Sequence, residues 1–253
     1  MTTKNLHQIY ITDSNQSLPP LLLEATETFK KSFPDHSYTL YNSEMLEEFI
    51  ENKISKEALD AYLKLKPYSY KADFGAYCLM YKLGGWYSDI SIKFLKGVQL
   101  NNCDFLGFID RGCGYTLSNS IPYPLQASLF FSKENSEIFA KAIDLVIENC
   151  KNEYYGRHPV CPTGPGVLGR ALAINGIQPG NIIGEFTALT PYYDLNNRSY
   201  LLPNGEILAL HKDAWFPKVR GGELSSFGGE GTNDYIKMYR NNDIYNTQEV
   251  FNF

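Results

Sequence analysis

Asp89 and Ser91 stand two residues apart near the end of the aromatic segment WYSDISIKF (86–94). On a β-strand such a pair faces one side of the sheet, with backbones about 6.6 Å apart. Two oxygen-bearing side chains at that spacing suit a hard cation such as Mg²⁺ or Mn²⁺ that also holds a phosphate. Taken alone the signal is weak, and the pair reads more readily as solvated side chains at a strand end. The five cysteines (Cys78, Cys103, Cys113, Cys150, Cys161) form no CxxC pair. They read as reduced structural thiols rather than a disulfide framework or a zinc site.

The elements that must position this pair follow from periodicity and punctuation. LHQIYI (6–11) and SYTLYN (37–42) read as strands, and LLLEATETFKKSF reads as a helix that Pro20 opens. Asn42 or Ser43 can cap the helix EMLEEFIENK, and a short helix over 55–64 follows. Pro67 opens the next helix, where Ala72, Ala76, Leu79 and Leu83 recur at helical spacing, and Gly84 fits its C-terminal cap. The segment 86–94 is then expected to be one continuous strand. This order predicts an α/β sheet covered by helices, which binds ligands beyond the carboxyl ends of its strands.

After residue 97 the pattern is mixed. CDFLGFID (103–110) and LQASLFFS (125–132) read as strands, and 136–150 as an amphipathic helix. Residues 163–176 form a turn and a helix starting near Pro165. Residues 200–211 form a hairpin turning at Asn204-Gly205. The region from 217 onward, rich in Gly, Ser, Asn and Tyr, carries no clear pattern. No repeat or linker divides the chain, so 1–253 is expected to be a single domain.

The 253 residues carry a net charge of −5 with no dense Lys/Arg cluster, which argues against nucleic acid as a partner. The 14% aromatic content includes 19 tyrosines, side chains whose flat faces and polar edges suit sugar and nucleobase stacking. The opening MTTKNLHQIY lacks the pattern of a signal peptide, and no apolar run nears a membrane span. A soluble cytoplasmic protein is the expectation.

The run KADFGAYCLMYKLGGWYSDIS (71–91) resembles the sugar-binding region of glycosyltransferase family 32, the DxD family of yeast mannosyltransferases and bacterial capsule enzymes. That region reads as an Asp, an Arg three residues later, an apolar helix, then Gly-Gly-x-Tyr-x-Asp-x-Asp. Asp73, Gly84, Gly85, Tyr87 and Asp89 match it. LHQIYI with its following LPP, FPDHSYTLYN, PTGPGVL (162–168) and LHKDAW (210–215) resemble further family segments. The resemblance implies a GT-A fold: a Rossmann-like mixed sheet covered by helices, with an irregular C-terminal region. Residues 1–97 would form the nucleotide-sugar half and 98–253 the acceptor half.

It also implies a retaining glycosyltransferase that moves a sugar from a nucleotide-sugar donor, UDP-linked as first choice, to a glycan or lipid-linked glycan acceptor. The setting would be bacterial capsule or lipopolysaccharide synthesis, cytoplasmic or peripheral at the inner membrane. By position, Tyr10 would stack near the donor base, and Asp73 would bind sugar hydroxyls. Gly84 and Gly85 would let backbone approach the donor, and Trp215 would approach its diphosphate. Asp89 and Asp73 would be the catalytic acids. Asp89, Ser91 and His211 would hold Mn²⁺ or Mg²⁺, with Thr163 and Gly164 on the acceptor side; Lys71 reads as structural.

Two positions depart from the pattern. Ser91 replaces the second aspartate, and Ala76 replaces the arginine. A neutral hydroxyl binds a divalent ion more weakly than a carboxylate does, so a weakened metal requirement or a different donor is expected. The same departures motivate an alternative reading, a non-catalytic relative that binds a glycan or a partner protein. A glycoside hydrolase would need a facing carboxylate pair, for which Asp89 and Asp110 are the candidates.

Overall fold

A computed structural model of the chain describes residues 4–110, 123–189, 197–216 and 224–246. Cys113, most of 110–125 and the first residues of the 217–245 region lie outside them. The N-terminal elements form where caps and apolar spacing direct them: β1 (Asn5–Ile9), α1 (Pro20–Ser32), β2 (Ser37–Tyr41), α2 (Ser43–Lys53), α3 (Lys56–Lys64), α4 (Tyr68–Leu83) and β3 (Gly85–Ser88). Asn42 Oδ1 accepts the Met45 amide at 2.9 Å, and Ser55 Oγ the Ala58 amide at 3.1 Å, filling valences that helix starts leave open. Then come β4 (Lys93–Phe94), β5 (Phe105–Asp110), β6 (Leu129–Ser132), α5 (Glu137–Lys151), α6 (Pro165–Asn175), β7 (Asn181–Ala188), β8 (Arg198–Leu201), β9 (Ile207–Leu210), α7 (Lys212–Trp215) and α8 (Tyr235–Arg240).

The expected continuous strand over 86–94 does not form. β3 stops at Ser88, the chain turns with the Ile92 amide donating to the Asp89 carbonyl at 3.2 Å, and β4 restarts at Lys93. Asp89 and Ser91 therefore belong to a turn, and strand alternation does not govern where they point. β7 was not anticipated, because Gly184 and Glu185 interrupt its apolar residues. Glycine is required there: a Cβ on Gly184 would lie 2.3 Å from the Leu201 carbonyl oxygen of β8.

The described strands form one mixed sheet in the order β2-β1-β3-β6-β5-β7-β8-β9-β4. β2, β1, β3, β5, β7 and β9 run one way, and β6, β8 and β4 run against them. From β1 the chain crosses through α1 to β2, then returns through α2–α4 to β3 on β1's other side. Such a reversal opens a crevice at the carboxyl ends of β1 and β3.

Side chains alternate between two apolar layers. Trp86, Phe131, Leu106 and Phe108 pack on one face with Phe29 and Phe33 of α1. Tyr87, Phe130 and Phe105 pack on the other, with Phe74 of α4 and Phe139 of α5. Tyr87 stacks on its cross-strand neighbour Phe130 with ring centroids 5.0 Å apart.

Gly84 ends α4 at φ +56° and Gly85 begins β3 at φ +102°, a region that only glycine enters cheaply. A Cβ on Gly84 would meet the Glu134 amide nitrogen at 2.5 Å, and one on Gly85 the Asn5 carbonyl oxygen at 2.4 Å. The Gly84 carbonyl is also 2.9 Å from Nε2 of the buried His7, whose pKa burial pushes down to about 4. The pair makes a tight helix-to-strand crossing. It sits at the amino end of β3, opposite the crevice. Gly85→Ala is expected to cost about 3 kcal/mol, from backbone strain and the clash with Asn5. Urea denaturation checks this, and a loss below about 0.5 kcal/mol would remove the argument.

Candidate functional site

The strand directions bring one set of loops to one edge of the sheet. Tyr10 follows β1, Asp89–Ser91 follow β3, Asp110 ends β5, Gln126–Ser128 precede β6, Arg198 begins β8, and His211–Lys212 follow β9. All of them line a cavity of about 550 Å³. The first turns of α4 and the start of α6 complete its wall, contributing Ser69, Tyr70, Asp73, Gly164 and Pro165. Two helix amino termini thus face the cavity, where the helix dipole favours negative charge.

Asp89 is anchored through its backbone. Its amide donates to the Ser128 carbonyl at 2.8 Å, and its carbonyl accepts from Gln8 Nε2 at 3.2 Å and Ser88 Oγ at 3.0 Å. Tyr87 Oη donates to its carboxylate at 2.9 Å. Burial raises the Asp89 pKa to about 6, against the opposing effects of the Tyr87 bond and the Lys212 charge. Asp73 is one α4 turn beyond Ser69, and its Oδ2 accepts from Thr163 Oγ1 at 2.8 Å. Burial lifts Asp73 well above the usual carboxylate range; the Thr163 bond opposes this and the Asp89 charge adds to it. Tyr77 Oη donates to the Thr163 carbonyl at 2.7 Å, fixing the loop that supplies that partner.

The expected residues divide by position. Tyr10, Asp73, Asp89, Ser91, Gly164 and His211 line the cavity. Thr163 is fully buried behind Asp73, so residues expected on donor and acceptor sides are hydrogen-bonded to each other. Gly84 and Gly85 do not line the cavity. Trp215 lies behind the Asp89–Ser91 turn, where its Nε1 donates to the Ser91 carbonyl at 3.0 Å and its ring lies 4.1 Å from Lys93 Nζ. Lys71 sits over the Tyr62 ring at 4.8 Å, in a structural position. Ala76, at the arginine position of the resembled pattern, is fully buried in the α4 core. Asp110 and Asp89 are separated by β6, about 9.6 Å at the backbone from two strand spacings, and Gln126 Nε2 donates to the Asp110 carboxylate.

The expected divalent-ion ligands Asp89, Ser91 and His211 all line the cavity. Among the described residues, no three His, Cys, Asp or Glu side chains gather as a donor set. His211 Nδ1 is taken up by Asp213, 3.0 Å from its Oδ2, and burial pushes the histidine down to about 4, so it is neutral. Ser91 brings no charge. A basic side chain stands near Asp89 instead: Lys212, whose charge acts on that carboxylate. Arg198 also lines the cavity, with Nε 2.6 Å from Asp213 Oδ2. Sequence reasoning passed over both. Lys212 lay inside the quoted LHKDAW segment, one residue beyond His211; Arg198 carried no local signal.

Two buried hydroxyls of cavity-lining residues have no hydrogen-bond partner among the described residues: Tyr10 Oη, on a residue 6% exposed, and Ser69 Oγ. A buried hydroxyl without a hydrogen bond costs free energy.

Residues 19–104, about a third of the chain, match the family model described as the glycosyltransferase sugar-binding region containing DXD motif. The chain is 31% identical over 114 residues to the uncharacterized glycosyltransferase L373 of Acanthamoeba polyphaga mimivirus. That match covers 45% of this chain and 43% of the relative, so the chain spans less than half of that protein's length. The solved structure of the PaToxG glycosyltransferase superposes with a TM-score of 0.48 at 17% identity, over 69% of each chain.

The Asp89 environment has a measurable consequence. With its folded pKa raised from 3.8 to about 6, the protonated form's stabilising contribution is full below the unfolded value. It is lost as pH rises through about 6. At pH 8, Asp89→Asn is therefore expected to be more stable than the parent by about 2 kcal/mol. The gap should close towards pH 4, read by urea denaturation at both pH values. A variant less stable than the parent at pH 8 would contradict a strained, partly buried carboxylate.

Proposed function

We propose that the chain is a glycosyltransferase that binds a nucleotide-sugar donor in the 550 Å³ cavity and passes its sugar to a glycan acceptor. The observation that carries this reading is the pair of pKa-raised carboxylates, Asp73 and Asp89, sharing that cavity with Tyr10 and Ser69, whose buried hydroxyls are unpartnered. Perturbed acids in a concave site at strand carboxyl ends mark a candidate functional site. The match of residues 19–104 to a sugar-binding region supports the same reading.

In this proposal Tyr10 lies against the donor base, Asp89 accepts from the donor ribose, and Asp73 holds sugar hydroxyls. Gly164 and its neighbours on the α6 start face the acceptor. The bond between the sugar's anomeric carbon and the diphosphate oxygen breaks, and its electron pair stays on the diphosphate. The acceptor hydroxyl oxygen bonds that carbon and its proton passes to the departing diphosphate, so charge and atoms balance. The helix termini at the cavity stabilise the growing negative charge. No protein nucleophile is assigned. The finer expectations join the proposal: retention of configuration, a UDP-linked donor, a GT-A domain with donor and acceptor halves, and a role in bacterial surface polysaccharide synthesis. No helix among the described residues is long and apolar enough to cross a membrane.

Ser91 and the buried Ala76 favour a second reading, a protein that binds the nucleotide or a glycan without transferring sugar. UDP or GDP at a hundred times Kd is expected to raise the melting temperature by about 5 °C. Incubation with a nucleotide-sugar panel and a glycan acceptor, read by mass spectrometry, is expected to yield a product one sugar heavier. Asp73→Ala should lower that turnover about a hundredfold or more. Nucleotide binding without product across the panel would favour the second reading, and no binding of any nucleotide would overturn the first.

A further inference from the structure

The charge balance at the Asp89 turn identifies what stands where a metal would. A pair of aspartates holding a divalent cation is neutral overall, two negative charges against two positive. Here Ser91 removes one negative charge, and Lys212 adds one positive charge on the same cavity wall. Asp89 and Lys212 therefore reach the same neutral balance with no ion bound. A divalent ion added beside them would carry an excess of two positive charges and face the Lys212 ammonium directly.

The chain positions this ammonium with care. Lys212 is the first residue of α7, held at the carboxyl end of β9 by the hairpin β8–β9, and Trp215 of the same helix ties α7 to the Ser91 carbonyl. The Asp89 turn and the helix that carries the lysine are thus joined by a hydrogen bond. The neighbouring charges are already committed to each other: Arg198 Nε and the guanidinium end pair with Asp213 at 2.6 and 2.5 Å, and His211 also faces Asp213. Lys212 has no ion-pair or hydrogen-bond partner among the described residues, while Asp89, Asp213 and Asp234 act on it through space. An ammonium on a cavity wall with open donor valences is a site for a bound anion. The residues that carry the buried, unpartnered Tyr10 and Ser69 hydroxyls line the same cavity.

We propose that Lys212, braced by the α7–Trp215–Ser91 contact, holds the diphosphate of the donor in place of a divalent cation, so that nucleotide binding by this chain is independent of metal. The ammonium donates hydrogen bonds to phosphate oxygens and offsets the charge they gain when the sugar leaves. This rests on the nucleotide-sugar reading of the cavity and assigns its anion-binding residue.

The test is calorimetric titration of UDP and GDP into the protein, in EDTA and separately in Mn²⁺. The parent is expected to bind one of them with affinities that agree within about threefold between the two buffers. Lys212→Met should weaken binding in EDTA at least about tenfold, whereas Lys212→Arg, which keeps the charge, should stay near the parent. In Lys212→Met, adding Ser91→Asp should restore binding in Mn²⁺ alone, because the second carboxylate re-creates the charge balance a divalent ion needs. Circular dichroism of each variant confirms an intact fold. Parent binding that vanishes in EDTA and returns with Mn²⁺ would overturn the proposal and leave the nucleotide reading standing. Lys212→Met binding as tightly as the parent would do the same. No nucleotide binding in either buffer would overturn both.

Discussion

A carboxylate withdrawn from water must be answered by a hydrogen bond, a cation or a proton, and the cavity edge of this sheet is organised by that requirement. Asp89 is answered by the Tyr87 hydroxyl and the charge of Lys212, Asp73 by Thr163 and a raised pKa, and Asp213 by Arg198 and His211. Each answer comes from a different stretch of chain, with 90 residues separating Asp73 from Thr163 and 15 separating Arg198 from Asp213. The acids therefore hold their positions only when α4, the loop before α6, and the β8–β9 hairpin have docked together.

The docking is itself a matter of backbone proximity. The Gly84–Gly85 crossing lets α4 turn into β3 against Asn5, so that β3 can lie parallel to β1. Strands running the same way put their carboxyl ends on one edge, and the reversal of order at β1 and β3 opens that edge into a crevice. The glycines that serve the site thus do so from its far side. Removing a Cβ at the amino end of β3 determines where Asp89 emerges at the other.

Much of this was legible locally. The helices α1 to α4 appear within a residue or two of their expected bounds, because the Asn42 and Ser55 side-chain caps and the backbone preferences of Pro20 and Gly84 act over about four residues. Asp89 was recognisable as a candidate from its spacing, Asp73 and Tyr10 only through the resemblance to the DxD family, and all three line the cavity. The strand expected over 86–94 was illegible as two pieces. Its break depends on the Asp89 carbonyl collecting donors from Gln8, Ser88 and Ile92, and only the Ser88 and Ile92 donors are local. β7 was hidden because its glycine answers a neighbour in β8 rather than any pattern of its own.

The sequence by itself determined the class of fold, the helix limits, and which acids stand near a helix-to-strand crossing, since propensity, capping and periodicity act within a few residues of chain. Only the tertiary structure decided the company those acids keep. It set Lys212 in Coulombic range of Asp89, hydrogen-bonded Thr163 to Asp73, and turned Trp215 away from the cavity to brace the Ser91 turn. Electrostatic balance depends on distance through space and on shared burial, and neither is written in the spacing of residues along a chain.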